Sequence, residues 1–134
     1  MTVKILSIDP GKTTGVCRAD LDLKVICLCS LGMKEALILL RSFRSIDLVI
    51  VEASPQKTDN AVQREFHHRI MDWAKGSGFP YLNITPGAWK PVAKARKWAH
   101  PEALDQHQED AYNILRYHIW EVFRKDIGVM RCLE

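Results

Sequence analysis

A chain of 134 residues, 47% of them hydrophobic, is long enough for one domain with its own core and too short for two of ordinary size. A formal charge of +3 and a pI near 8.7 make it mildly basic, so net charge alone does not call for a nucleic-acid partner. No apolar stretch approaches the roughly 20 residues that span a bilayer and no secretory h-region opens the chain, so a single domain over residues 1–134 with no membrane partner is expected.

The first element is the apolar run Val3-Lys4-Ile5-Leu6-Ser7-Ile8, a buried strand that ends on Asp9. Pro10 stops it, and Gly11 and Gly15 let the backbone reverse and another element approach closely. The carboxylate of Asp9 is thereby delivered to a strand tip facing a cleft. Taken alone, Asp-Pro-Gly reads as a turn in which the acid hydrogen-bonds its own backbone; the rest of the chain alters that balance. Gly11-Lys12-Thr13 is not a phosphate loop, because the earlier glycine such a loop needs falls on Leu6 inside the strand.

Residues 16–21 and 24–31 are β-rich and joined across Asp22, which predicts a three-stranded antiparallel opening. Cys17, Cys27, Cys29 and Cys132 lack Cys-x-x-Cys spacing and a histidine partner set, and read as reduced, buried thiols of a cytoplasmic protein. Residues 33–44 are helical, with Leu37, Leu40 and Phe43 on one stripe. They lead into Asp47-Leu48-Val49-Ile50-Val51-Glu52, an apolar run suited to a strand covered on both faces. Residues 60–75 carry Val62, Phe66, Ile70, Trp73 and Ala74 at helical spacing before Gly76 and Gly78; residues 81–84 form a fifth strand. Residues 105–125 form the last helix, with Ala111, Leu115, Ile119 and Val122 inward. The order β-β-β-α-β-α-β-α predicts an α/β domain, a five-stranded mixed sheet flanked by helices.

Glu52 ends its strand before Ala53-Ser54-Pro55 as abruptly as Asp9 ends before Pro10-Gly11. If the first and fourth strands are parallel neighbours, both acids lie at C-terminal tips, where α/β sheets place ligands. His107-Gln108-Glu109-Asp110-Ala111 offers the third contribution. His107 and Asp110, three residues apart, share a face with Ala111 and Ile114 and are expected to point toward the sheet, with Glu109 toward water. Singly, His107 is a helix-start histidine and Asp110 a first-turn acid; jointly with Asp9 and Glu52 they predict a catalytic, metal-binding set. Hard oxygen donors plus an imidazole suit Mg²⁺, with Mn²⁺ as substitute, better than zinc. The implied chemistry is phosphodiester hydrolysis with two ions about 3.5–4 Å apart, bridged by Asp9.

No acidic residue falls between Asp72 and Glu102, whereas Lys75, Lys90, Lys94, Arg96 and Lys97 do, interleaved with Trp89 and Trp98. Such a segment suits a phosphate backbone as well as it suits a solvated helix face. With Lys12 and Lys57, which follow the two strand-tip acids, Lys90, Lys94, Arg96 and Lys97 are the expected DNA contacts.

Ile8-Asp9-Pro10-Gly11 with Thr14-Gly15, Val49-Ile50-Val51-Glu52 and His107-x-x-Asp110-Ala111 together resemble the RuvC-type Holliday-junction resolvases of the RNase H-like superfamily, over nearly the whole span from Ile5 to Ile114. The resemblance implies an RNase H-like fold and a homodimer joined through the 60–75 helix. It further implies a Mg²⁺-dependent endonuclease that nicks a four-way or branched DNA in pairs, without a nucleotide cofactor, in a bacterial or phage-infected cell. His107 stands where the family more often has aspartate, and Lys90 falls on the family's basic residue after the fifth strand. The compact chain resembles phage-encoded members, which act broadly on branched DNA. Where many relatives carry an aromatic residue after the glutamate, this chain has Ser54-Pro55-Gln56-Lys57, which puts base unstacking at the crossover and strict cleavage-sequence preference in doubt. Two other readings stay open: an RNase H-like nuclease of the YqgF type acting on structured RNA, and a catalytically silent junction-binding protein. An actin-like ATPase would need two such domains and is excluded by length.

Overall fold

In the computed structural model, which describes residues 2–53 and 61–131 with side chains to position 122, the first strand is the centre of the sheet. Along β1 (Ile5–Asp9), Ile5, Leu6, Ser7 and Ile8 are no more than 2% exposed. A strand so covered on both faces requires a helical layer on each side. β1 pairs antiparallel with β2 (Thr13–Ala19) and parallel with β4 (Leu48–Glu52); β3 (Val25–Gly32) extends the sheet beyond β2, and β5 (Tyr81–Ile84) beyond β4. The expected five-stranded mixed sheet is thus present, in the order β3-β2-β1-β4-β5.

Side chains alternate across it. Leu6, Ile8, Val16, Val49 and Val51 face α1 (Met33–Ser42) and α2 (Ala61–Gly76), meeting Leu37, Leu40, Phe66 and Ile70. Ile5, Cys17, Ile50 and Ile84 face α3 (Pro86–Ala95) and α4 (Gln106–Arg131), meeting Trp89, Ala93, Ala111 and Leu115. The same alternation carries Asp9, in phase with Ile5, and Glu52, in phase with Ile50, to the α3 and α4 side.

α3 has no counterpart among the elements expected from periodicity. Its signals are nevertheless local: Thr85 in an extended conformation, Pro86 at the first helical position, then Ala88, Trp89, Val92 and Ala93 at helical spacing. Pro91 argues against a helix, since it cannot bond the carbonyl four residues back. That partner is the exposed Gly87, whose carbonyl water can serve.

Two apolar positions also differ. Val62 is 63% exposed rather than on the buried stripe of α2, and Val122 is 42% exposed rather than inward. The β2–β3 turn is organised by Asp20 rather than Asp22: its Oδ1 accepts the amides of Asp22 and Lys24, both at 2.9 Å, while Leu23 takes φ 61°. Cys17 is buried, but Cys27 and Cys29 are half-buried on edge strand β3 with their sulfurs 4.0 Å apart. Cys132, Lys57 and the whole Ser54-Pro55-Gln56-Lys57 stretch lie outside the described residues, as does the first residue of the expected 60–75 helix. No helix among the described residues is long and apolar enough to cross a membrane.

α4 lies against β1 and β2 at backbone contact. A Cβ added to Gly15 would stand 2.0 Å from the His107 carbonyl oxygen and 3.2 Å from the Ala111 Cβ. The buried Ser7 hydroxyl donates to the Ala111 carbonyl at 2.5 Å, so strand and helix are joined by a polar bond as well as by close packing. Gly15→Ala should therefore force α4 away from the sheet and lower stability by about 1–3 kcal/mol or more. Gly87→Ala, whose Cβ would meet nothing within 4 Å, should instead be neutral or stabilise by up to about 1 kcal/mol. Urea denaturation of the two variants checks this contrast.

Candidate active site

Three elements bring acids to one edge of the sheet. The parallel register pairs Ile8 with Val51, so Asp9 and Glu52 follow on neighbouring strands, about 4.8 Å apart at the backbone. Behind Asp9, the buried Thr14 hydroxyl donates to the Gly11 carbonyl at 3.0 Å and ties down the Pro10-Gly11 turn. Behind Glu52, the Ala53 amide donates to the Ile84 carbonyl at 2.7 Å and holds the strand end against β5. Asp110 arrives from α4, one residue before the Ala111 that packs on Gly15.

The start of α4 is built locally. Asp105 is its N-cap: Oδ1 accepts the Gln108 amide at 2.9 Å, and Oδ2 accepts the Ser30 hydroxyl at 2.5 Å. The buried Gln108 side chain reaches back to the Leu104 amide at 3.1 Å. This is a capping box shifted by one residue: Asp-x-x-Gln satisfies the Gln108 amide and the Leu104 amide just before the N-cap, and the Ser30 bond ties the helix to β3. Gln106, in the first turn, donates to Asp110 Oδ1 at 2.6 Å.

Burial pushes the Asp9 carboxyl up to about 7, and the charges of Glu52 and Asp110 push it the same way; Lys90 opposes. Burial also raises Glu52, with Asp110 adding to the rise, while the Trp89 N–H bond and Lys90 favour its charged form. Asp9, Glu52, Asp110 and Lys90 thus share one electrostatic field. Like charges in a half-buried site are costly without a cation, and three carboxylates with no thiolate are donors for a hard ion. The donor chemistry therefore fits Mg²⁺ or Mn²⁺. Among the described residues, no three His, Cys, Asp or Glu side chains are spaced around a common ion position; one oxygen of Glu52 is bonded to Trp89 and one oxygen of Asp110 to Gln106.

Of the pair His107 and Asp110, Asp110 is the member brought to the strand tips. His107 is exposed, its neighbouring charge is Asp105, and its carbonyl rather than its ring meets the sheet at Gly15. Glu109 is not simply turned to water: it lines, with Gln106 and Asp110, one wall of a cleft whose other wall carries Lys90, Lys94 and Lys97 of α3 and its C-terminal turn. Arg96 lies elsewhere, its guanidinium 4.9 Å from the ring centre of Trp120. Lys12 is exposed in the turn after Asp9. Sequence reasoning missed Gln106, Glu109 in the cleft, and Trp89, whose Nε1 donates to Glu52 Oε2 at 2.7 Å. Nothing local in the chain could announce that last bond across 37 positions.

A central strand with antiparallel and parallel neighbours, acids at its tip and at the tip of the adjoining parallel strand, and a closing helix with a third acid define an RNase H-like α/β fold. Among solved structures, the chain is similar to Thermus thermophilus RuvC in complex with a Holliday junction substrate, with 15% identity, a TM-score of 0.68, and 90% of this chain and 96% of that chain covered. It is likewise similar to another Thermus thermophilus RuvC structure, with 17% identity, a TM-score of 0.61, and 94% and 97% covered. The fold is therefore RuvC-like over most of the chain. No protein-family model and no curated protein matches the sequence.

The field around Asp9 has a measurable sign. In the unfolded chain its carboxyl titrates near 3.9, and in the metal-free folded protein at about 7. The folded state then binds the extra proton between those values, so Asp9 penalises folding progressively as pH rises from about 4 to 7. In chelator, Asp9→Asn should melt close to the parent at pH 4 and increasingly above it up to pH 8. Melting temperatures of the two proteins across that range check this, and a constant difference would contradict it.

Proposed function

We propose that the protein is a metal-dependent structure-selective endonuclease that cleaves Holliday junctions and other branched DNA by phosphodiester hydrolysis. The observation that supports this most directly is the convergence of Asp9, Glu52 and Asp110 on one sheet edge, beside a cleft walled by lysines, within a RuvC-like fold. Asp9, Glu52 and Asp110 would hold Mg²⁺ or Mn²⁺, two ions per site, and His107, exposed one turn before Asp110, would join them only if its ring turned toward the strand tips. Bound there, such ions lower the pKa of water and stabilise both the attacking and the leaving oxygen. Lys90 faces the acids from α3 and takes the scissile phosphate; Lys94 and Lys97 continue along the same cleft, and Lys12, Lys57 and Arg96 are further proposed DNA contacts, Arg96 on a surface separate from that cleft.

Asp9→Asn, Glu52→Gln and Asp110→Asn should each lower nicking by several orders of magnitude while junction binding persists. Mg²⁺ should raise the melting temperature of the parent at pH 8 and do so much less in Asp9→Asn. Lys90→Ala combined with Lys94→Ala and Lys97→Ala should reduce the salt slope of duplex-arm binding by about 0.9 for each phosphate that is no longer neutralised. Incubation with fixed and mobile four-way junctions, forks, duplex and structured RNA, with and without Mg²⁺, tests the assignment. Cleavage confined to RNA would favour the YqgF-type reading, and binding without nicking the silent one.

The protein works as a homodimer, in which two-fold symmetry presents one active site to each of two like-polarity strands. Supporting this are Ile38 of α1 and Val62 of α2, 60% and 63% exposed, which line a groove edged by Lys34, Arg41, Glu65 and Arg69. An exposed apolar strip between two helices suits an isologous contact, with Glu65 already paired to Arg69 at 3.0 Å within the chain. Sedimentation at micromolar concentration should give about twice the monomer mass. Ile38→Asp with Val62→Glu should give monomers that nick strands singly rather than in pairs, as read by recovery of linear products from a cruciform plasmid.

A further inference from the structure

Trp89 is 2% exposed and packs in the core with Ile50, Ile84, Ala93, Trp98 and Tyr112. A ring so enclosed keeps its rotamer, and Pro86 at the first helical position presets the backbone of the turn that carries it. Packing alone asks only for a bicyclic apolar ring of that size. Indole adds a single N–H, a donor that cannot accept, and it is directed at Glu52 Oε2 at 2.7 Å. Glu52 needs such a restraint more than Asp9 does, because its side chain is longer by one torsion and the terminal carboxylate rotates in a broad well. The next residue, Lys90, sits with its Nζ 5.6 Å from the Trp89 ring centre, so one turn of α3 supplies both the orienting bond and the neighbouring charge.

We propose that Trp89 is a positioning residue for the cation site: its N–H, held rigid by the core, occupies one oxygen of Glu52 and leaves the other available to a divalent ion that Glu52 and Asp9 would help to hold. The proposal rests on the metal-dependent reading above. Outer-shell donors of this kind are typically worth 10–100-fold in metal affinity or activity. A purely structural indole, parking its own N–H on the nearest acceptor, would contribute to folding but leave metal affinity alone.

The test titrates Mn²⁺ into the full chain by calorimetry, and follows nicking of a four-way junction against Mn²⁺ concentration. Proteins compared are the parent, Asp9→Asn, Trp89→Phe, and the chain carrying 3-benzothienylalanine at position 89, which keeps the bicyclic shape and replaces N–H by sulfur. Mn²⁺ binding by the parent and its loss in Asp9→Asn test the metal site itself, separately from Trp89. Given that site, both position-89 proteins should bind Mn²⁺ about ten-fold or more weakly, with half-saturation for nicking shifted by a similar factor. Their rates at saturating Mn²⁺ should come within a few-fold of the parent, and metal-free junction binding should be unchanged. Should Trp89→Phe fail to fold, the isosteric protein alone decides. Unaltered Mn²⁺ affinity in that protein, or a lower rate at saturating metal with unaltered half-saturation, would overturn the proposal.

Discussion

The contact of α4 with the backbone of β2 at Gly15 is the constraint on which the rest of the site depends. With no side chain at that position, the His107 carbonyl can come within 2.0 Å of where a Cβ would be, and Ala111 lies close by. The Ser7 hydroxyl then bonds the Ala111 carbonyl from the central strand. Glycine on one strand, a small hydroxyl on the next and alanine on the helix are thus all short for one reason: a helix must lie directly on the sheet where its first turns carry an acid. Asp110 reaches the strand tips because Ala111 is seated, and the capping box of Asp105 and Gln108 sets where the helix begins.

What this arrangement assembles is unfavourable for folding taken alone. Two half-buried carboxylates with a third nearby repel, and burial raises Asp9 far enough that it is partly protonated near neutrality. Hydrophobic burial on both faces of β1 and β4 offsets that repulsion and holds the acids in place. The stability of the core and the poise of the site are therefore linked through the same two strands, whose last residues are the acids.

α3 joins three tasks in ten residues. Its apolar side closes the core through Trp89 and Ala93, its indole N–H reaches Glu52, and its lysines line the cleft opposite Glu109 and Asp110. Basic residues on a helix anchored by a buried aromatic can meet a polyanion without moving the acids. The separation of Arg96, stacked on Trp120, from the lysine wall shows that a run of basic residues in sequence is divided by helical geometry into different surfaces.

The sequence by itself determined the elements whose signals are local. Among the described residues, the five strands and three of the four helices follow from periods of two and of three to four residues and from the proline and glycine stops; strand alternation and those stops put Asp9 and Glu52 at tips. It did not determine α3, whose helical spacing is opposed by Pro91, a conflict that only the exposure of Gly87 resolves. Val62 and Val122 read as core because periodicity names a stripe without saying how far along the helix a sheet will cover it. Which of His107 and Asp110 meets the acids, and that Glu52 ends on the N–H of Trp89, were decided by tertiary structure alone. Each depends on the depth and angle at which a helix lies on the sheet, set by contacts between residues dozens of positions apart, such as Ser7 with Ala111 and Glu52 with Trp89. No local pattern encodes such contacts.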